Sequence, residues 1–110
     1  MSNLVEVIKH TINEKKGENI SVFHFTQSHG LFEYMVIADT NNPRLMLAIK
    51  DYLIEALSKD QHLIHHIEGN VDSDWILIDA YSVLVHIFLK ESRLYYQLDD
   101  LWADKLVDHD

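Results

Sequence analysis

With 110 residues, 47% of them hydrophobic, the chain has the length and apolar content of one domain, residues 1–110, with its own core. Eighteen acidic residues against nine basic ones give a formal charge of −9, and the lysines are scattered, which argues against direct broad binding of nucleic-acid phosphates and favours a basic protein partner. The lack of cysteine excludes disulfides and thiolate metal sites, and no apolar run approaches the roughly 20 residues that cross a bilayer.

The opening "MSNLVEVIKHTINEKKG" interrupts each apolar cluster with lysine or glutamate. It has neither a secretory h-region nor an acid-free transit segment, so a cytoplasmic protein is expected. Leu4, Val5, Ile8 and Ile12 recur at helical spacing and predict an amphipathic helix that ends at Gly17. "NISVFHF" alternates and is rich in β-branched and aromatic residues, as a strand requires, and "TQSHG" reads as the loop after it. Ser28 in that loop lacks the glycine pattern of a hydrolase nucleophile elbow.

"EYMVIA" predicts a second strand. In "NNPRLMLAIKDYLIEAL" asparagine precedes Pro43, the arrangement of a helix with proline at its first position. Met46, Ile49, Leu53 and Leu57 share one face of this helix, while Leu45, Leu47 and Ile54 widen it and predict burial on more than one side. That apolar excess also leaves room for a homodimer face.

"HLIHHIEG" predicts a short strand up to Gly69, with "VDSD" as a turn. On a strand His62 and His66 face one way and His65 the other, so the three do not converge on a metal ion, and no metal site or cofactor is expected. "WILID" and "SVLVHIFL" are nearly continuous apolar runs, as strands become when both sheet faces are covered. The period of two puts Leu84, His86 and Phe88 on one face and Val83, Val85 and Ile87 on the other. A histidine so placed needs a partner for its ring nitrogens, and Asp79 at the end of the preceding strand is the expected neighbour.

In "ESRLYYQLDDLW" the spacing of Leu94, Leu98, Leu101 and Trp102 predicts a C-terminal helix anchored by those four, with Arg93, Tyr96 and Asp99 on other faces. Tyr, Trp and Arg are the residue types enriched at interface hot spots. The order of elements predicts an α/β (α+β) domain, a mixed sheet of about five strands packed by helices, with antiparallel hairpins around residues 69–74 and 80–82 and a parallel crossover through the long helix.

Trp75 and Asp79, "VHIF" at 85–88, and Arg93, Tyr96, Leu98, Leu101 and Trp102 together resemble the ribosomal silencing factor (Iojap-like) family. The earlier chain agrees through its leading helix, "YMVIA" at 34–38, Arg44, and Glu68 with Gly69. Departures are "DTNNP" where the family usually has a small Gly-Thr-Ser type turn, Leu45 in place of Gln or His, Glu33 in place of Asp, and "AYS" after Asp79 where Tyr-Gly-Asp is common.

The resemblance implies a minimal nucleotidyltransferase fold without catalytic apparatus. It also implies docking on the fourteenth protein of the large ribosomal subunit, which keeps the small subunit from joining and represses translation when nutrients are scarce. The expected anchors are Tyr34, Trp75, Asp79, His86, Arg93, Tyr96 and Trp102, with Glu68 and Asp99 as supporting acids; Arg93→Ala or Tyr96→Ala would then weaken binding with little loss of folding. The alternative is a Mg-dependent nucleotidyltransferase-like enzyme using Asp72 and Asp74, whose spacing on a strand would direct both carboxylates to one side. Against it, the three glycines, Gly17, Gly30 and Gly69, form no phosphate-cradling loop.

Overall fold

A computed structural model describes residues 3–26, 32–70 and 72–110, so the "TQSHG" loop, Ser28 included, lies largely outside the described residues. In chain order the elements are α1 (Asn3–Glu14), β1 (Glu18–His24), β2 (Tyr34–Thr40), α2 (Pro43–Lys59), β3 (His66–Glu68), β4 (Trp75–Asp79), β5 (Val83–Leu89), α3 (Lys90–Tyr96), α4 (Leu98–Leu101), a 3-10 turn (Ala103–Lys105) and β6 (Leu106–His109). They build one mixed sheet of order β3-β4-β5-β2-β1-β6. The expected parallel join is the central one, β2 with β5, and every other pairing is antiparallel, including both predicted hairpins.

Among the described residues the strand count is six, not five. β6 pairs with β1, Ser21 opposite His109 and Val22 opposite Asp108. A four-residue strand whose only two apolar residues, Leu106 and Val107, are adjacent carries too little alternation to be seen in the sequence. The Lys9 ammonium pairs with the Asp108 carboxylate, fastening β6 to α1. That hydrogen bond raises Lys9 above the usual lysine range and holds Asp108 below the usual carboxylate range.

Helices α1 and α2 cover one face of the sheet. Between them and the strands lie Leu4, Ile8, Met46, Ile49, Leu53, Val36, Ile76, Val83, Val85 and Ile87, all buried. Asn42 caps α2 as the sequence predicts, its side-chain oxygen accepting from the N–H groups of Arg44 (2.8 Å) and Leu45 (3.2 Å), with Pro43 in the first turn. Met46, Ile49, Leu53 and Leu57 are buried, Leu45 and Leu47 pack half-buried against the same core and Ile54 is half-buried, so the buried face is widened as predicted, while Asp51, Tyr52 and Glu55 stay in solvent. At the end of α1 the left-handed position is Lys16 (φ 71°) rather than Gly17. Gly17 is needed for close approach instead, since a Cβ there would lie 2.4 Å from the Ile12 side chain.

Short C-terminal elements cover the other face only in part. Phe23, Met35, Ile37 and Phe88 form a second buried cluster, against which Phe25, Phe32, Trp75, Leu84, Leu98 and Trp102 pack. The predicted alternation in β5 is therefore realised: Val83, Val85 and Ile87 face the helices, and Leu84, His86 and Phe88 face this second side.

Candidate functional site

The C-terminal segment departs most from its predicted form. Gln97 adopts a left-handed conformation (φ 56°, ψ 40°) that stops α3 and restarts the chain as α4. The i, i+4, i+7 spacing of the leucines therefore does not run on one cylinder. Leu98 and Trp102 do anchor the segment, but Leu94 (76% exposed) and Leu101 (62%) point to solvent, and Arg93 goes inward. Tyr95 (80% exposed) stands beside Leu94, and its ring meets that of Tyr96 at 5.1 Å.

Arg93 is the centre of a polar network rather than a free anchor. Its Nε and Nη2 donate to both Asp99 oxygens (3.0 and 2.7 Å), Nη1 to Asp39 (3.1 Å) and the Asn19 carbonyl, and Nη2 also to the Ser21 hydroxyl. The Asp39 side chain is 5% exposed and accepts from Lys90 as well (3.0 Å). Burial works against the Arg93 charge, but Asp99 and Asp39 outweigh it and raise the guanidinium. For Lys90 the hydrogen bond to Asp39, then that to Glu18, raises the ammonium. The irregularity that puts the Asn19 carbonyl in reach is a bulge in β1 between Glu18 and Ser21, with Asn19 at φ 54°. Arg93 thus ties α3 to β1 and β2, and the expectation that Arg93→Ala spares folding is revised: its guanidinium is committed to the fold.

Trp75, Phe88 and Tyr96 pack into one aromatic group of tilted rings, with Trp75 centred 4.8 Å from each of the other two. His86 adjoins them, and the Trp75 Nε1–H donates to its Nδ1 at 2.9 Å. The histidine's partner is thus the indole, not Asp79. Asp79 lies opposite Leu84 and accepts from the Tyr81 N–H (2.9 Å), because the β4–β5 register places Leu77, not Asp79, beside His86. Accepting at Nδ1 requires the ring proton on Nε2, and that nitrogen is buried with no hydrogen-bond partner among the described residues. Desolvation lowers the His86 pKa to about 4.

A cleft of about 490 Å³ opens beside Trp75, lined also by Glu68, Gly69, Ser73, Asp74 and Leu77. Gly69 (φ 111°) lets β3 close against β4, since a Cβ there would come within 2.9 Å of the Trp75 carbonyl oxygen. Asp72 and Asp74 both precede the strand, so the alternation that would align them does not apply. Asp74 accepts from the Ser92 hydroxyl (2.7 Å) and so braces α3, while the Asp72 N–H is held by the Asn70 side chain (2.9 Å). The histidines of 62–66 also disperse: His62 pairs with Asp60, His66 with Glu68, both at 2.9 Å, and His65 lies against Tyr81. The strand begins only at His66, so the predicted strand geometry holds for the last of the three alone.

Of the nine expected site residues, Trp75, His86 and Tyr96 come together, and Glu68 borders the same cleft. Arg93 and Asp99 form the neighbouring network, and Trp102 packs edge-on to Phe25. Asp79 lies at the far end of the β4–β5 hairpin, and Tyr34, stacked on His24 at 4.5 Å, lies with the helix-side core. Sequence reasoning missed Leu94, Tyr95 and Leu101 as surface residues; the only signal was their adjacency to Tyr96 in a segment too short to bury every apolar group.

Residues 1–110 match the family model described as ribosomal silencing factor during starvation. The chain belongs to the ribosomal silencing factor family. A ribosomal silencing factor of Haemophilus influenzae is 32% identical over 91% of this chain and 98% of its own length. One from Halalkalibacterium halodurans is 29% identical over 94% and 91%. A mouse relative, named for mitochondrial assembly of the large ribosomal subunit, is 24% identical over 94% of this chain and 47% of its own length. Among solved structures, a protein of Chromobacterium violaceum superposes with a TM-score of 0.86 at 26% identity, covering 94% of this chain and 88% of that one. One from Bacillus halodurans superposes at 0.82, with 27% identity and 96% coverage of both. Membership in this family makes the chain a ribosome-associated translational repressor, and no helix among its described residues is long and apolar enough to cross a membrane.

Proposed function

We propose that this silencing factor docks on the large ribosomal subunit through the subunit's fourteenth protein. It thereby keeps the small subunit from joining and represses translation in the cytoplasm under nutrient limitation or in stationary phase. The activity on this reading is steric and needs no catalysis. Intersubunit bridges form only at atomic contact, and a body measuring 34 × 33 × 22 Å at the joining face holds the subunits apart.

The observation that carries the reading is the incompletely covered second face of the sheet. There Tyr96 is exposed against Trp75, and Tyr95, Leu94 and Leu101 are exposed in the short segment that carries it, Leu94 at the cleft lined by Arg93 and His109. Large apolar and aromatic side chains concentrated this way on a small domain mark a contact surface. A standard interface takes on the order of 800 Å² from each partner, about an eighth of this molecule's 6482 Å². The charge of −9 suits a basic ribosomal protein. In this arrangement Trp75, Tyr96 and Glu68 face the partner, Arg93, Asp99 and Trp102 hold the segment that presents them, and Tyr34 and Asp79 act from outside the face.

The test is sedimentation with isolated subunits, followed by a subunit-joining assay. Co-sedimentation with the large subunit alone and failure of the small subunit to join are expected. Binding to neither subunit, or binding that leaves joining intact, would overturn the reading.

A further inference from the structure

His86 is an unfavourable choice for the position it occupies. Its neighbours along β5 on this face are Leu84 and Phe88, and its register partners are Leu77 on β4 and Ile37 on β2. An apolar residue would continue that packing, whereas histidine strands the Nε2 donor in it. What histidine supplies, and no apolar residue could, is an acceptor for the Trp75 Nε1–H.

We infer that His86 is the positioning residue of the docking face: its Nδ1 fixes the Trp75 indole in the orientation that both packs against Tyr96 and walls the Glu68–Asp74 cleft. The inference rests on the docking reading above and assigns His86 a part within it. Among the described residues Trp75 is the one side chain common to the aromatic group and the cleft. The indole is only half-buried, so without its acceptor the N–H turns to water, and the ring leaves Tyr96. Tyr95, which meets Tyr96 edge-on, shifts with it. Burial keeps the imidazole in its neutral, accepting form near pH 7. His86 itself, 6% exposed, offers almost no surface of its own, so its part is taken through Trp75.

The test uses His86→Leu and His86→Gln in the full chain, read by hydrogen exchange of the Trp75 indole, affinity for isolated large subunits and thermal unfolding. Leucine removes the acceptor together with the stranded donor, whereas the glutamine carbonyl oxygen can still accept. His86→Leu is expected to stay folded, speed indole exchange and weaken binding about tenfold, with His86→Gln restoring affinity to within about threefold. In a Trp75→Phe background, with no indole N–H to orient, the further loss on His86→Leu should be under about twofold. Unchanged affinity or unchanged exchange in His86→Leu, or an equal loss in the Trp75→Phe background, would overturn the assignment. If the wild-type protein fails to bind large subunits, the docking reading falls by itself, while indole exchange still decides whether His86 holds Trp75.

Discussion

Arg93 and His86 are both largely withdrawn from solvent, and they respond to removal in opposite ways. Arg93 spends its five N–H donors on Asp99, Asp39, Asn19 and Ser21, so Arg93→Ala cuts the tie between α3 and the sheet and leaves the buried Asp39 carboxylate with Lys90 and Asn19 alone among the described residues. A loss of about 2–4 kcal/mol is expected in denaturant unfolding, with Arg93→Lys only partly restoring it because an ammonium cannot reproduce the fork. His86 governs a pH dependence. Its native pKa of about 4 lies below the ordinary 6.5, so the unfolded chain binds a proton that the folded one refuses. Stability from this group is therefore full above pH 6.5, declines through the interval below it, and is lost by pH 4. The total is about 3 kcal/mol. Unfolding curves across that interval should flatten in His86→Leu; an unchanged slope would contradict the assignment.

Among the elements, the break between α3 and α4 is the feature that local pattern could not reveal. Gln97 holds φ 56°, a conformation that favours glycine, and its side chain is exposed. Gln97→Gly is expected to raise the thermal midpoint through about 0.5–1 kcal/mol of added stability. A fall would mean that the side chain makes contacts outweighing the strain. Where burial dictates residue type, the sequence is readable. The alternation in β5, the Asn42–Pro43 start of α2 and the apolar stripe of α1 each predict their element and its inner face. Where a single dihedral redirects the chain, it is not. Glutamine at 97 carries no signal of its left-handed geometry, and asparagine at 19, which tolerates that geometry, does not reveal that the bulge brings its carbonyl to Arg93. The candidate site was legible in its residues, Trp75, His86, Tyr96 and Arg93. Their division into an aromatic face and a buried polar tie follows only from the fold.

At the scale of the whole molecule, charge and shape act together. With a charge of −9 on a radius of gyration of 12.7 Å, encounter with a basic partner should be accelerated at low ionic strength. In stopped-flow binding to large subunits, the association rate constant is expected to fall about tenfold or more between roughly 50 and 200 mM salt, with dissociation little changed. A salt-independent association rate would mean that the acidic surface takes no part in docking.

The parallel join of β2 with β5 at the centre of the sheet bears on how the chain reaches this shape. β1 with β2 and β4 with β5 are near neighbours in sequence and can zip on the microsecond scale of hairpins. Tyr34 must find Val83 and Thr40 must find Leu89, roughly half the chain away, before the two halves become one sheet. The central seam therefore closes late, and until it does β2 and β5 are open edges, apolar and ready to pair with any other chain. The two strands best protected in the finished molecule are the ones most exposed to misassembly while it forms.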